Sequence, residues 1–212
     1  MWTNQRPGSR FGRLLIGLVL YGFADALIVQ AALGIGPWDV LAQGVSLKTS
    51  LLFGLVTNLI GLLVLLLWIP LRQRPGIGTL LNVLLVGSAQ QVTIWLIPTP
   101  DGLVERILLF AAGLLLLAVA TGVYVGAALG AGPRDGLMTG LHSRLGWPIW
   151  LGRTVVEVSV LVGGWLLGGN VGLGTLAFAL LTGPLCQITI PLFAARPSRR
   201  LTAITAGSAA SA

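Results

Sequence analysis

The sequence predicts an all-α membrane protein. It would have six transmembrane helices arranged as two inverted-topology repeats of three, with a short GxGPxD loop-helix after the first span of each repeat. Three observations predict it. Of 212 residues, 55% are hydrophobic and only 9% charged, whereas a soluble domain needs about 25% charged residues to keep its surface wet. Apolar runs recur that are long enough to cross roughly 30 Å of hydrocarbon, which takes about 20 helical residues. Residues 31–41, AALGIGPWDVL, return as residues 127–137, AALGAGPRDGL, identical at eight of 11 positions.

The first predicted span, 12–33, follows Arg6, Arg10 and Arg13, a pattern shared with secretory signal peptides. The repeat argues against cleavage, because the matching segment of the second copy lies deep inside the chain. Further spans are expected at 51–71, 78–97, 107–129, 149–168 and 173–194. Their ends are punctuated by Pro70, Pro75-Gly76, Pro98, Pro100, Gly132-Pro133, Trp147-Pro148 and Gly168-Gly169-Asn170, the residues that stop regular structure. Segment 1–11 is then a cytoplasmic N-terminus, 12–98 repeat one, 99–106 an external linker and 107–194 repeat two. From 195 to 212 a disordered basic tail is expected, since it carries no apolar period.

Six spans place both termini on one side. That side would hold Arg6, Arg10, Arg13, Arg72, Arg74, Arg134, Arg144, Arg153, Arg196, Arg199 and Arg200, against Lys48 and Arg106 on the other. Basic residues are retained in the cytoplasm during insertion, so both termini are expected to be cytoplasmic. The basic residues lie between apolar runs rather than in a patch, so the expected partner is the lipid bilayer and not nucleic acid. Cys186 is the only cysteine and His142 the only histidine. This excludes a disulfide framework and Cys/His metal clusters. No metal, no cofactor and no enzymatic nucleophile in a recognisable setting is expected.

The duplication extends to residues 76–94, which match 172–190 at ten of 19 positions with the same offset of 96. Shared leucines are cheap in membrane helices. Gly36/Gly132, Pro37/Pro133, Asp39/Asp135, Gly78/Gly174, Thr79/Thr175 and Gln91/Gln187 at one common shift are not. Three spans per copy is an odd number, so the second copy sits upside down, as in several transporter folds. The exchange of Trp38 for Arg134 then reads as an interfacial tryptophan outside and an arginine inside.

Four blocks, GIGPWDVLAQGVS (34–46), RPGIGTLLNVLLVG (74–87), GAGPRDGLMTGL (130–141) and GLGTLAFALLTGP (172–184), together resemble the YczE/YyaS/YitT family of bacterial integral membrane proteins. The resemblance covers the chain except its termini. It implies a bacterial membrane protein and brings no substrate, cofactor or catalytic residue to map. Arg134 departs from the GPWD form.

Two groups of residues are candidates for a site. In the repeated loops, Gly34, Gly36, Pro37, Trp38 and Asp39, with Gly130, Gly132, Pro133, Arg134 and Asp135, mark the start of a helix too short to span. Pro suits its first turn and Asp its dipole. One reading is a half-helix facing a polar cavity; the other is an interfacial turn capped by Asp39. Within the spans, Asp25 has no local partner, while Arg153 and Glu157 are spaced to pair along one helix face. Such groups either couple solute movement or clamp helices together. Gln91 and Gln187 are expected to bond between helices, and Asn58 and Asn82 to line a cavity. The functional expectation is a small-solute transporter or channel with its pathway between the repeats. The alternative is a non-transporting membrane partner or scaffold for another protein.

Overall fold

The computed structural model describes residues 7–193, which form eight α-helices and no strand. They are α1 (Pro7–Ala31), α2 (Pro37–Thr49), α3 (Phe53–Leu71), α4 (Ile77–Leu96), α5 (Leu103–Gly126), α6 (Pro133–Leu145), α7 (Ile149–Leu166) and α8 (Leu173–Phe193). All but α2 and α6 are long and apolar enough to cross a membrane, which gives six candidate spans. The expected basic tail lies outside the described residues. Two helices begin earlier than expected: α1 at Pro7, inside the expected N-terminal segment, and α5 at Leu103, so that Glu105 and Arg106 belong to a helix rather than a linker. A carboxylate in a first turn favours the helix dipole, and Arg106 Nε donates to Pro100 O at 2.8 Å.

The centre of the bundle is an antiparallel pair, α1 and α5. Near the start of α1, Arg10 donates to the carbonyls of Ala127 (3.0 Å) and Ala128 (2.9 Å), just past the end of α5. Further along, Gly113 leaves room for Ala24 and Ile28. Ala24, Ile28, Ala31, Phe110, Leu114 and Leu117 bury the seam. Much of α1 is buried, whereas α8 lies at the edge of the bundle, with Ala177, Phe178 and Leu185 packed against the core and many other side chains exposed. Around the pair, α4 packs on α1 and α8 on α5, α3 lies along α4 and α6, and α7 lies along α2.

Helix starts repeat with the sequence. α6, α7 and α8 begin 96 residues after α2, α3 and α4. The loops before α2 and α6 share a backbone: Ala32 and Ala128 both sit at φ 52°, Gly34 at 114° and Gly130 at 141°. Those two glycine angles suit a residue without Cβ. Each loop is fastened by the other half of the chain. Gly174 N–H donates to Leu33 O at 2.8 Å, and Gly78 N–H to Leu129 O at 3.0 Å. Thr79 Oγ1 accepts from Gly76 N–H and donates to Ala131 O at 2.7 Å. Thr175 Oγ1 accepts from Gly172 N–H at 3.3 Å and lies where a Cβ on Gly34 would fall.

The halves differ in how their last two helices pack. In the first, α3 and α4 meet at Gly54 and Gly87, where a Cβ on either would strike the other's carbonyl oxygen. Gln91 Oε1 accepts Gly54 N–H at 2.9 Å and so satisfies a free donor in the first turn of α3. In the second half, α7 and α8 barely touch. Gly183, the counterpart of Gly87, has nothing within 4 Å of its Cβ position.

Candidate functional site

The space left between α7 and α8 joins a central cavity of about 540 Å³, large enough for a small organic solute. Every helix contributes to its wall. Tyr21, Trp38, Asn58, Arg134, Asp135 and Glu157 supply much of its chemistry, with Arg153 and Gln187 among the further polar groups.

α6 aims its N-terminus at this space, and α2 brings Trp38 of its first turn to it. Pro37 and Pro133 open them, with Gly36 and Gly132 as N-caps in extended conformation (ψ 155° in both) and no side-chain cap. α2 buries its first turn and α6 buries Pro133 and Gly136–Met138, while Leu47–Ser50 and Arg144–Leu145 at the far ends are exposed. The second residues of the two helices meet: the Arg134 guanidinium lies over the Trp38 ring, 5.1 Å from its centroid. This corrects the expectation that Trp38 and Arg134 sit at opposite membrane surfaces. Trp38 is buried at 6% exposure. Sequence equivalence fixed the spacing of the two residues but not the fact that both lie where the two halves touch. Among the described residues Arg134 has no hydrogen bond and no ion pair within 4.0 Å, and the face of Trp38 is a favourable contact for its charge.

Behind Trp38 lies a second layer. Asp25 and Asp39 are each 2% exposed and Gln90 is fully buried. Gln90 Nε2 donates to Asp25 Oδ2 at 3.2 Å and to Asp39 Oδ1 at 3.3 Å. Its Oε1 accepts from Thr57 Oγ1 at 3.0 Å, and Thr57 also lines the cavity. Asp39 is therefore a buried partner of Asp25 across an amide, and the reading of it as an interfacial cap is set aside. In the other half, Asp135 faces the cavity and accepts a long bond of 3.5 Å from Tyr124 Oη. The Tyr124 ring meets Tyr21 edge-on at 5.9 Å.

A model of a family of unknown function (DUF6198) matches residues 8–191. The chain belongs to that family. Among members' relatives, an uncharacterised protein of Haemophilus influenzae is 39% identical over 197 residues, covering 93% of this chain and 89% of that one. The uncharacterised membrane protein YczE of Bacillus subtilis is 34% identical over 177 residues, 82% of each chain. YyaS of the same organism is 27% identical over 183 residues, 84% of this chain and 90% of its own. No solved structure matches. The DUF6198 match spans all eight helices almost to their ends, so the cavity lies wholly inside the family's shared region.

The remaining expected site residues fall into two groups. Asn58, Arg153, Glu157 and Gln187 line the cavity, as does Asn82. Arg153 Nε donates to Glu157 Oε1 at 2.9 Å, an i,i+4 pair. Gln187 makes no hydrogen bond among the described residues, unlike its counterpart Gln91. Gln91, Gly34, Gly36, Pro37 and Gly130 serve the loops and helix starts and lie off the cavity wall. Gln90, Thr57, Tyr21 and Tyr124 escaped sequence reasoning. Gln90 was hidden because residue 186, 96 positions on, is a cysteine, so a search for repeated polar residues passes over it.

Proposed function

We propose that this multi-pass membrane protein is a small-solute transporter or channel of the bacterial inner membrane, with a pathway running between two inverted repeats. The observation that carries the reading is the central cavity, walled by polar side chains from both halves where the starts of two short helices meet. Short helices that end at mid-depth, with dipoles turned to a cavity, are a recurrent way to build a solute site. The antiparallel α1–α5 pair and the reciprocal fastening of the two loops support the inversion. The difference between halves supports a moving part. The α3–α4 seam is shut and the α7–α8 seam is open, and exchanging these two arrangements would turn the cavity toward the opposite face. Basic residues at the α1 end, Arg10, Arg13, Arg72, Arg74 and Arg144, support cytoplasmic termini. No catalytic role is part of the proposal.

The test is thiol accessibility in cells. Cys186→Ala provides the background, with single cysteines at Asp135, Thr182 and Asn58 in the cavity, Ser143 on one face and Lys48 on the other. A membrane-impermeant reagent is applied to each face in turn. Modification of the cavity cysteines from the face that exposes Ser143 supports the pathway. Silence at all three from both faces, with Ser143 and Lys48 reacting, means the cavity is dry. That outcome returns the reading to a partner or scaffold that fills the α7–α8 gap with a helix of another protein.

A further inference from the structure

We infer that Asp25 and Asp39 form a proton-binding site that exchanges with the cavity, so that one proton is a co-substrate of the transport cycle. The inference rests on the transporter reading above.

Its ground is geometric. One amide nitrogen sits between the two carboxyls, 3.2 Å from one and 3.3 Å from the other. Its two hydrogens supply one donor to each. The opposite end of the amide is already taken by Thr57, so Gln90 cannot turn without breaking three bonds. Both acids are buried between membrane-crossing helices, where an unbalanced charge is expensive. The charged and titratable groups facing them are few. α6 presents Arg134, with Asp135 next to it in sequence, and α1 presents Tyr21. α4 and α3 present only the uncharged Gln90 and Thr57, and on α7 Glu157 is matched by Arg153. Arg134 therefore balances one of the two negative charges. Two carboxylates this close cannot both stay ionised against a single cation, and a proton on either oxygen removes the excess. The bond made is one O–H on a carboxyl and the bond broken is one O–H of a hydronium or of the solute in the cavity, so nothing is oxidised or reduced.

Exchange is local. Tyr21, Trp38 and Thr57, the groups flanking the pair, all belong to the cavity wall, so a single layer of side chains separates the acids from it. Any shift of Trp38 against Arg134 opens that layer. An anionic solute arriving beside Arg134 would compete with the pair for the guanidinium, linking the two sites through one charge.

The experiment is infrared spectroscopy of the full chain in lipid bilayers at neutral pH, in H2O and after transfer to D2O. The expected wild-type spectrum contains a protonated carboxylic C=O band that shifts to lower frequency in D2O. Asp25→Asn/Asp39→Asn loses the band, and Glu157→Gln keeps it. The single Asp25→Asn also loses it, because Asp39 then faces Arg134 without a second acid. Each variant is first checked for an unchanged thermal midpoint and elution volume. A wild-type spectrum indistinguishable from the double variant in this region overturns the site. A band that persists without shifting overturns its role in exchange. Cysteine accessibility is independent of both results: an open cavity with no band leaves the transporter reading standing and removes only the proton.

Discussion

Gln90 holds more of the interior together than its type suggests. It donates to two buried acids and accepts from a hydroxyl on a third helix, so α1, α2, α3 and α4 converge on one side chain. Gln90→Leu keeps the volume and strands both carboxyls, at a cost of about 1–3 kcal/mol per unsatisfied group. The thermal midpoint in detergent is expected to drop by several degrees, and an unchanged midpoint would show that the acids find donors elsewhere. Gly34→Ala tests the loop. Its φ of 114° and the nearness of Gly172 N and Thr175 Oγ1, 2.7 and 2.8 Å from a new Cβ, leave no room for a methyl. A loss of roughly 2 kcal/mol or more is expected from backbone strain alone, and Gly130→Ala should behave alike. The glycines were legible in the sequence because both copies keep them. The Asp25 partner was not, since pairing across 65 residues leaves no periodic trace.

Between elements, the informative comparison is Gly87 with Gly183. A large side chain at Gly87 would drive α4 off α3, so Gly87→Leu should lower the thermal midpoint markedly, at the cost typical of overpacking, about 1–3 kcal/mol or more. Gly183→Leu meets open space and should leave the midpoint within a degree or two. If α7 and α8 close during the cycle, that same leucine blocks closure. Solute-dependent or temperature-dependent changes in thiol reactivity at Thr182→Cys should then disappear while stability stays. Equal destabilisation by both leucines would mean that α7 and α8 are packed together in the membrane. Hydropathy alone located the spans to within a few residues, because a bilayer demands about 20 apolar residues whatever their neighbours. Which helices would touch was not readable, since nearly every face of such a helix is apolar.

For the whole molecule, the charge distribution sets the prediction. With Arg134 and Arg153 assigned to the cavity, the bias of basic residues among the described surface positions still favours the face of Arg10, Arg13, Arg72, Arg74 and Arg144 over that of Lys48 and Arg106. A reporter active only in the cytoplasm, fused after the last residue, is expected to be active. One that matures only outside should be silent. Placing three arginines in the Gly168–Gly172 turn should lower insertion yield by loading the translocated face. The sequence made the span count and this bias visible, and it placed Trp38 and Arg134 at opposite surfaces because a topology rule treats every loop residue as lying in water. Helices too short to span escape that rule.

The stack of Arg134 on Trp38 also constrains the history of the chain. On the proposed two-fold, these are the same position met from two sides, so in an ancestor assembled from two identical copies each would have faced itself. Arginine against arginine would set two permanent charges close together in a low-dielectric interior. Tryptophan against tryptophan would bring no charge to the centre. A cation resting on a ring needs a different residue at each of the two positions. The halves are not interchangeable at this point, and a chain made by joining two second halves would carry that repulsion where they meet.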